Sequence, residues 1–177
     1  GTAKSYDQGL LYCPVAMLIQ KAAGKSKSRL PLLIVLGLLF LKYISDAFND
    51  RRDELEGRTS DPTDKEYYIP DQALRQEVLD DRDHYKREGV FFIPEKARWK
   101  YLLEHASTNQ IGEHINAAME AIEEENLVQL KGVLFKDFTR QHLNSDTVGE
   151  LVNLFSKIKF DHNTEKERDI LGRVYEY

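Results

Sequence analysis

The chain has 177 residues, 41% hydrophobic and 31% charged, with a formal net charge of -5 at pH 7. Such a balance suits one soluble globular domain with a real core and argues against a protein whose entire surface faces phosphates. The lone cysteine, Cys13, allows neither an internal disulfide nor a thiolate metal site, so a reducing, cytoplasmic setting is expected.

Five prolines and ten glycines among abundant Leu, Glu, Lys and Ala favour helix over sheet. The expected class is all-α: a single helical domain of about six to seven helices, with at most one short extended or β segment near residues 90–93. The chain opens Gly1-Thr2-Ala3-Lys4-Ser5, which has neither the basic start nor the apolar core of a signal peptide.

Leu11, Val15, Leu18, Ile19 and Ala22 recur at helical spacing, and Pro14 sets where that helix begins. A loop from Gly24 to Arg29 follows. Its Gly24-Lys25-Ser26 resembles the end of a phosphate-binding P-loop, but the required first glycine falls at Ile19 and the preceding segment reads as helix. Between Gln8 and Ser45 stand Lys21, Lys25, Lys27, Arg29 and Lys42 and no acidic residue. Lys21, Lys25, Lys27 and Arg29 are therefore candidate contacts to DNA phosphates, the alternative being a solvated loop that is merely basic.

A central helix is expected from about Pro31 to Glu56, with Leu36, Phe40, Ala47 and either Tyr43 or Ile44 along one buried stripe. Its apolar run, Leu30 to Leu41, is shorter than the roughly 20 residues of a membrane span and is interrupted by Lys42 and Asp46. Asn49 to Glu54 reads as a solvated charged rod, and Gly57 as its end. Gly57 to Pro70 is a polar connection rather than a domain boundary.

Ala73 to Glu88 reads as a charged surface helix. Val90 to Ile93 is either a brief strand or an extended segment entering the core, and Pro94 opens a helix carrying Ala97, Tyr101, Leu102 and Leu103 inward. Ser107 with Gln110 forms a capping-box pattern before a helix with Ile111, Ile115, Ala118, Met119 and Ile122 on one face. Glu123, Glu124 and Glu125 make a solvated acidic end. Two more capping boxes, Thr147 with Glu150 and Thr164 with Glu167, start the last helices. Since the final one stops at Tyr177 with an apolar stripe and no stop signal, the natural protein is expected to continue.

His105, Glu113 and His114 lie close in sequence, yet no His-Glu-x-x-His spacing occurs and His114 falls on the polar flank of its helix. No metal is expected. Trp99, beside Arg98, is placed either on a base or in the core, and an aromatic residue opening an amphipathic helix normally serves the core.

Four stretches carry a family resemblance. They are Leu36-Gly37-Leu38-Leu39-Phe40-Leu41-Lys42-Tyr43-Ile44-Ser45-Asp46-Ala47-Phe48, then Val90-Phe91-Phe92-Ile93-Pro94-Glu95-Lys96-Ala97-Arg98-Trp99. The third joins Ala118-Met119-Glu120-Ala121-Ile122-Glu123 with Leu130-Lys131-Gly132-Val133-Leu134, and the last is Asp169-Ile170-Leu171-Gly172-Arg173-Val174-Tyr175-Glu176-Tyr177. In this order the chain resembles the N-terminal helical domain of the modification subunit of type I restriction-modification systems. The first 35 residues depart from the family pattern, with Tyr12-Cys13-Pro14 and a Lys/Ser loop where the family has a Trp-containing helix and an Arg-Gly turn.

The resemblance implies a parent that methylates adenine N6 in DNA using S-adenosylmethionine. It also implies partners: DNA, a specificity subunit, a second modification subunit and a restriction subunit. Residues 1–177 would be the N-terminal helical domain, with the Rossmann-like catalytic domain following. No two glycines stand one residue apart, and no Asn-Pro-Pro-aromatic tetrapeptide occurs, so neither cofactor nor catalytic residues are expected here. The competing expectation is a protein-interaction module, docking a partner on the last helix or on the Asn109 to Glu125 helix.

Overall fold

The computed structural model describes residues 30–139 and 143–160. The helices expected around Pro14 and after Thr164, and the match at Asp169 to Tyr177, lie outside the described residues. Within them are seven α-helices, one 3₁₀ turn and no strand. The class is all-α.

Helix α1, Leu30–Ser60, is the axis. At 31 residues it is about 46 Å long, so every other layer can touch it. Its apolar half is not buried on one stripe, as the spacing suggested, but nearly all round. Ile34, Val35, Leu38, Leu41, Tyr43, Ile44 and Ser45 are each at most 8% exposed. By length and composition alone Leu32–Ser60 is apolar enough to cross a membrane, so the short apolar run was not by itself decisive. Packing is: most of its apolar window is covered by the other helices, as in a core helix.

Gly57 does not end α1. It sits exposed inside the helix, which continues to Ser60. The stop comes from Pro62, which disfavours helical geometry at Asp61, while Ile69 N–H donates to the Thr59 carbonyl at 2.9 Å. Nor does the charged half leave the core. Phe48, Leu55 and Thr59 are fully buried and Arg51 is 8% exposed, because two further helices cross there.

These are α2, Gln72–Asp80, and α3, Asp83–Lys86. A single helix was expected over this span. Asp81 breaks it by adopting extended geometry, its carboxylate accepting the Asp83 N–H at 3.0 Å. Asp71 caps α2 through the Ala73 and Leu74 N–H groups.

Val90 to Ile93 then runs extended into the core with no strand pairing, so the second of the two expectations holds. Phe92 and Ile93 are buried, and the Asn126 side chain replaces a strand neighbour. It accepts the Phe92 N–H at 3.3 Å and donates to the Phe92 carbonyl at 3.1 Å. After Pro94 comes not one helix but a 3₁₀ turn, Glu95–Ala97, an extended Arg98, and α4, Trp99–Glu104. That restart buries Trp99 and Leu102 and leaves Leu103, expected inside, 38% exposed.

Helix α5, Ile111–Glu125, buries the whole predicted apolar face. The Ser107 capping box does not form: Gln110 precedes the helix without a side-chain cap. An unanticipated short helix, α6, Leu127–Leu130, follows. The last described helix, α7, Ser145–Phe155, is capped by Asn144 rather than Thr147, with the Asn144 side chain accepting the Asp146 N–H. Helices α2, α4 and α7 pack on α1, while α5 packs on α4, α7 and the 3₁₀ turn. Gly112 and Gly149 permit that closeness, since a Cβ on them would stand 2.4 Å from the Phe138 carbonyl oxygen and 2.1 Å from that of Ala106.

Candidate functional site

The four predicted phosphate contacts, Lys21, Lys25, Lys27 and Arg29, lie outside the described residues. The fifth cation of that run, Lys42, is buried and ion-paired with Asp46 one turn along α1. It belongs to the core.

What the fold does assemble is an arginine and aromatic corner where α1, α2, α3 and the segment before α4 meet. Phe48 stacks on Tyr85 at 4.8 Å between ring centres, and Phe92 meets both edge-on at 5.3 Å. The Tyr85 hydroxyl donates to the Leu79 carbonyl at 2.6 Å. Burial raises the Tyr85 pKa, with Arg52 acting against it.

Four arginines frame the rings. Arg51 Nε donates to the His84 carbonyl at 3.0 Å, and Arg51 Nη1 reaches Glu54 at 2.9 Å. Arg52 Nη1 donates to the Leu79 carbonyl at 3.0 Å and reaches Asp80 Oδ1 at 3.4 Å. Arg98 lies 4.8 Å over the Phe48 ring and donates from Nε to the Ile93 carbonyl at 3.1 Å. Arg82 lies 4.4 Å over Phe92 and grips Glu125 with two hydrogen bonds of 2.9 and 2.8 Å. Burial, reinforced by the like charge of Arg52, pushes the Arg98 guanidinium below its usual range.

The charged half of α1 had concealed this corner. Its signal was present in the spacing: Phe48, Leu55 and Thr59 continue a helical stripe with Arg51 and Arg52 inside it. Glu123 and Glu125 are likewise not a solvated end. Glu123 accepts from Lys136 at 2.8 Å and from the Gly132 N–H at 3.1 Å, and Glu125 holds Arg82. Those donors keep both carboxyls below the usual range.

Trp99 serves the core: its backbone N–H donates to Ser45 Oγ and its Nε1 to Ser156 Oγ, each at 2.8 Å. His105 and His114 are brought together, with ring centres 4.5 Å apart beside Tyr101. His105 Nδ1 is committed to the Tyr101 carbonyl at 2.7 Å. Among the described residues no three His, Cys, Asp or Glu side chains are grouped to hold a metal ion. A cradle for S-adenosylmethionine of the Rossmann type needs a strand feeding a helix through a Gly-rich turn, and the described residues offer no such turn.

The apolar face of α5, expected as one docking surface, is consumed in the core. Exposed apolar side chains instead gather at α6 and its turn, with Leu127 53%, Val128 96% and Val133 47% exposed.

Residues 33–158 match the family described as HsdM N-terminal domain. The chain is 38% identical over 144 residues to a protein from Methanocaldococcus jannaschii named type I restriction enzyme MjaIX methylase subunit. That alignment covers 81% of this chain and 25% of the relative, so the chain spans about a quarter of the length of the protein it matches.

Proposed function

The chain belongs to the HsdM N-terminal domain family, and on that premise we propose that it is the helical arm with which a type I modification subunit helps close its complex around DNA. The parent protein transfers a methyl group from S-adenosylmethionine to adenine N6, with that chemistry in a separate domain. Its partners are DNA, a specificity subunit, a second modification subunit and a restriction subunit. The observation that carries the reading is the extent of the match: it runs from Leu33 to Ile158, through the whole described helical body rather than one motif.

In this reading the arm contributes rigid packing, and Lys21, Lys25, Lys27 and Arg29 contribute sequence-independent phosphate contacts. Base recognition is left to the specificity subunit.

Fluorescence anisotropy of the chain with a short duplex at several salt concentrations tests it. Each phosphate neutralised steepens the logarithmic salt slope by about 0.9. Neutralising Lys25, Lys27 and Arg29 together is expected to flatten the slope by between two and three such steps. An unchanged slope, in the chain and in the assembled complex, would remove the loop from DNA.

A second reading, docking of a partner protein, has one observation in its favour. Leu127, Val128 and Val133 are exposed on a turn fixed to α5 by the Gly132 and Lys136 bonds to Glu123. Charged substitutions there that abolish subunit assembly and spare DNA binding by the isolated chain would favour it.

A further inference from the structure

The turn from α4 into α5 brings two imidazoles together. His105 ends α4 and His114 lies in the first turn of α5, with ring centres 4.5 Å apart and planes inclined at 51°. Tyr101 stands 4.3 Å from His105, tilted by only 33°, and 5.6 Å from His114. Those three distances set about a right angle at His105. Tyr101 therefore leans over the face of His105, and His114 lies towards its edge, where ring nitrogens point.

His105 is fixed in orientation and in tautomer. Its Nδ1 lies 2.7 Å from the Tyr101 carbonyl, which can only accept, so Nδ1 carries the proton and the neutral ring keeps its lone pair at Nε2. An imidazole that ligates a metal is held in this way, one nitrogen tied to a carbonyl and the other free. The His114 side chain has no hydrogen-bond partner among the described residues, so its ring can turn to offer a nitrogen at no cost in bonds. Both histidines are half-buried, which leaves the pair reachable from solvent.

We propose that His105 and His114 form a two-histidine site for a borderline divalent transition-metal ion, zinc or copper, which ties the end of α4 to the start of α5. With metal–nitrogen bonds of about 2.0–2.1 Å, two imidazoles meeting one ion at angles from square to tetrahedral have ring centres about 4.5–5.2 Å apart. The observed separation falls at the near end of that range. Imidazole nitrogen selects these ions over magnesium and calcium, which take oxygen. Glu104 and Glu113, each beside one histidine in sequence, are exposed and have no ion pair among the described residues, so they add negative charge around the site. No third His, Cys, Asp or Glu is grouped with the pair among the described residues. Water, or a donor from another molecule, completes the coordination. The site does not depend on contact with DNA.

The test is a titration of the untagged, ¹⁵N-labelled chain with zinc chloride, against magnesium chloride at the same concentrations, following the imidazole resonances. The chain has five histidines, so His84, His142 and His162 serve as internal controls. Zinc is expected to move the His105 and His114 resonances together, saturating at one ion per chain, and to raise the melting temperature by a few degrees more than magnesium does. Copper should bind more tightly than zinc. His114→Gln leaves a single imidazole, so both zinc responses should largely disappear, and His105→Gln gives the same comparison from α4.

If zinc moves the pair no further than magnesium does, or no further than it moves the other three histidines, the site does not exist, and that result needs only the unmodified chain. If each single variant loses only about half of the response, the two rings bind ions separately and the shared site is wrong. Neutralising Lys25, Lys27 and Arg29 should leave the zinc response intact, which separates failure of the loop's DNA role from failure of this site.

Discussion

Alanine at Gly57 and alanine at Gly149 should shift stability in opposite directions, although both glycines lie inside α-helices. At Gly57 an added Cβ meets nothing within 4 Å, and the backbone is already helical. Alanine should therefore gain most of the helix-propensity difference, about 0.8–1 kcal/mol. At Gly149 the same gain is available, but the Cβ would stand 2.1 Å from the Ala106 carbonyl oxygen. Restoring an ordinary contact needs a displacement of about 1 Å between α7 and the turn after α4, in a core whose density resists it. Val148, Val152 and Phe155 are at most 1% exposed and would lose contacts together. Overpacking of this kind costs about 1–3 kcal/mol, and the lost contacts bring the net change to roughly 2 kcal/mol destabilising after the propensity gain. Urea unfolding followed by far-ultraviolet circular dichroism should separate the two variants by about 3 kcal/mol. Equal stability of Gly149→Ala and the unmodified chain would refute the close approach of α7, and a destabilised Gly57→Ala would refute the continuation of α1 beyond Glu56.

Three further outcomes follow from the geometry. Asn126→Ala leaves the buried Phe92 N–H without its acceptor, for a loss of about 1–3 kcal/mol, and hydrogen exchange at the Phe92 amide should accelerate; unchanged protection would mean that the extended segment is held by something else. Phe48→Ala removes the plate between Tyr85, Phe92 and Arg98 and should cost about 3–5 kcal/mol in chemical denaturation, a cost below 1 kcal/mol being incompatible with that packing. The third outcome concerns pH. Glu123 and Glu125 have carboxyls held low in the folded state, so their contribution is fully present above the unfolded glutamate value near about 4.3 and is lost as pH falls through the folded values below it. The urea midpoint should be level near neutrality and fall in acid, with Glu125→Gln showing a shallower fall; parallel profiles would remove the Arg82 pair from the acid response.

Local periodicity made several elements legible. The Ile111 to Ile122 face of α5 was readable residue by residue, because a helix with five aliphatics at that spacing has only one side to bury. The central helix was readable for its length and apolar content. Helix ends were less so: capping residues are abundant, and the choice of Asn144 over Thr147 depends on where α7 meets its neighbours. The candidate basic loop was readable as charge, since no acid stands within it.

The sequence by itself determined the helical class, the buried face of α5 and the family, because each is written in spacing between residues near one another along the chain. Tertiary structure alone decided the fate of the charges. Arg82 and Glu125 are 43 positions apart and Arg51 and His84 are 33 apart, so no local pattern could pair them. An arginine on a helix surface reads as solvated until another element brings a carbonyl or an aromatic face against it. At Arg98 that element is the segment before α4, whose Ile93 carbonyl and whose approach to the Phe48 ring fix the side chain.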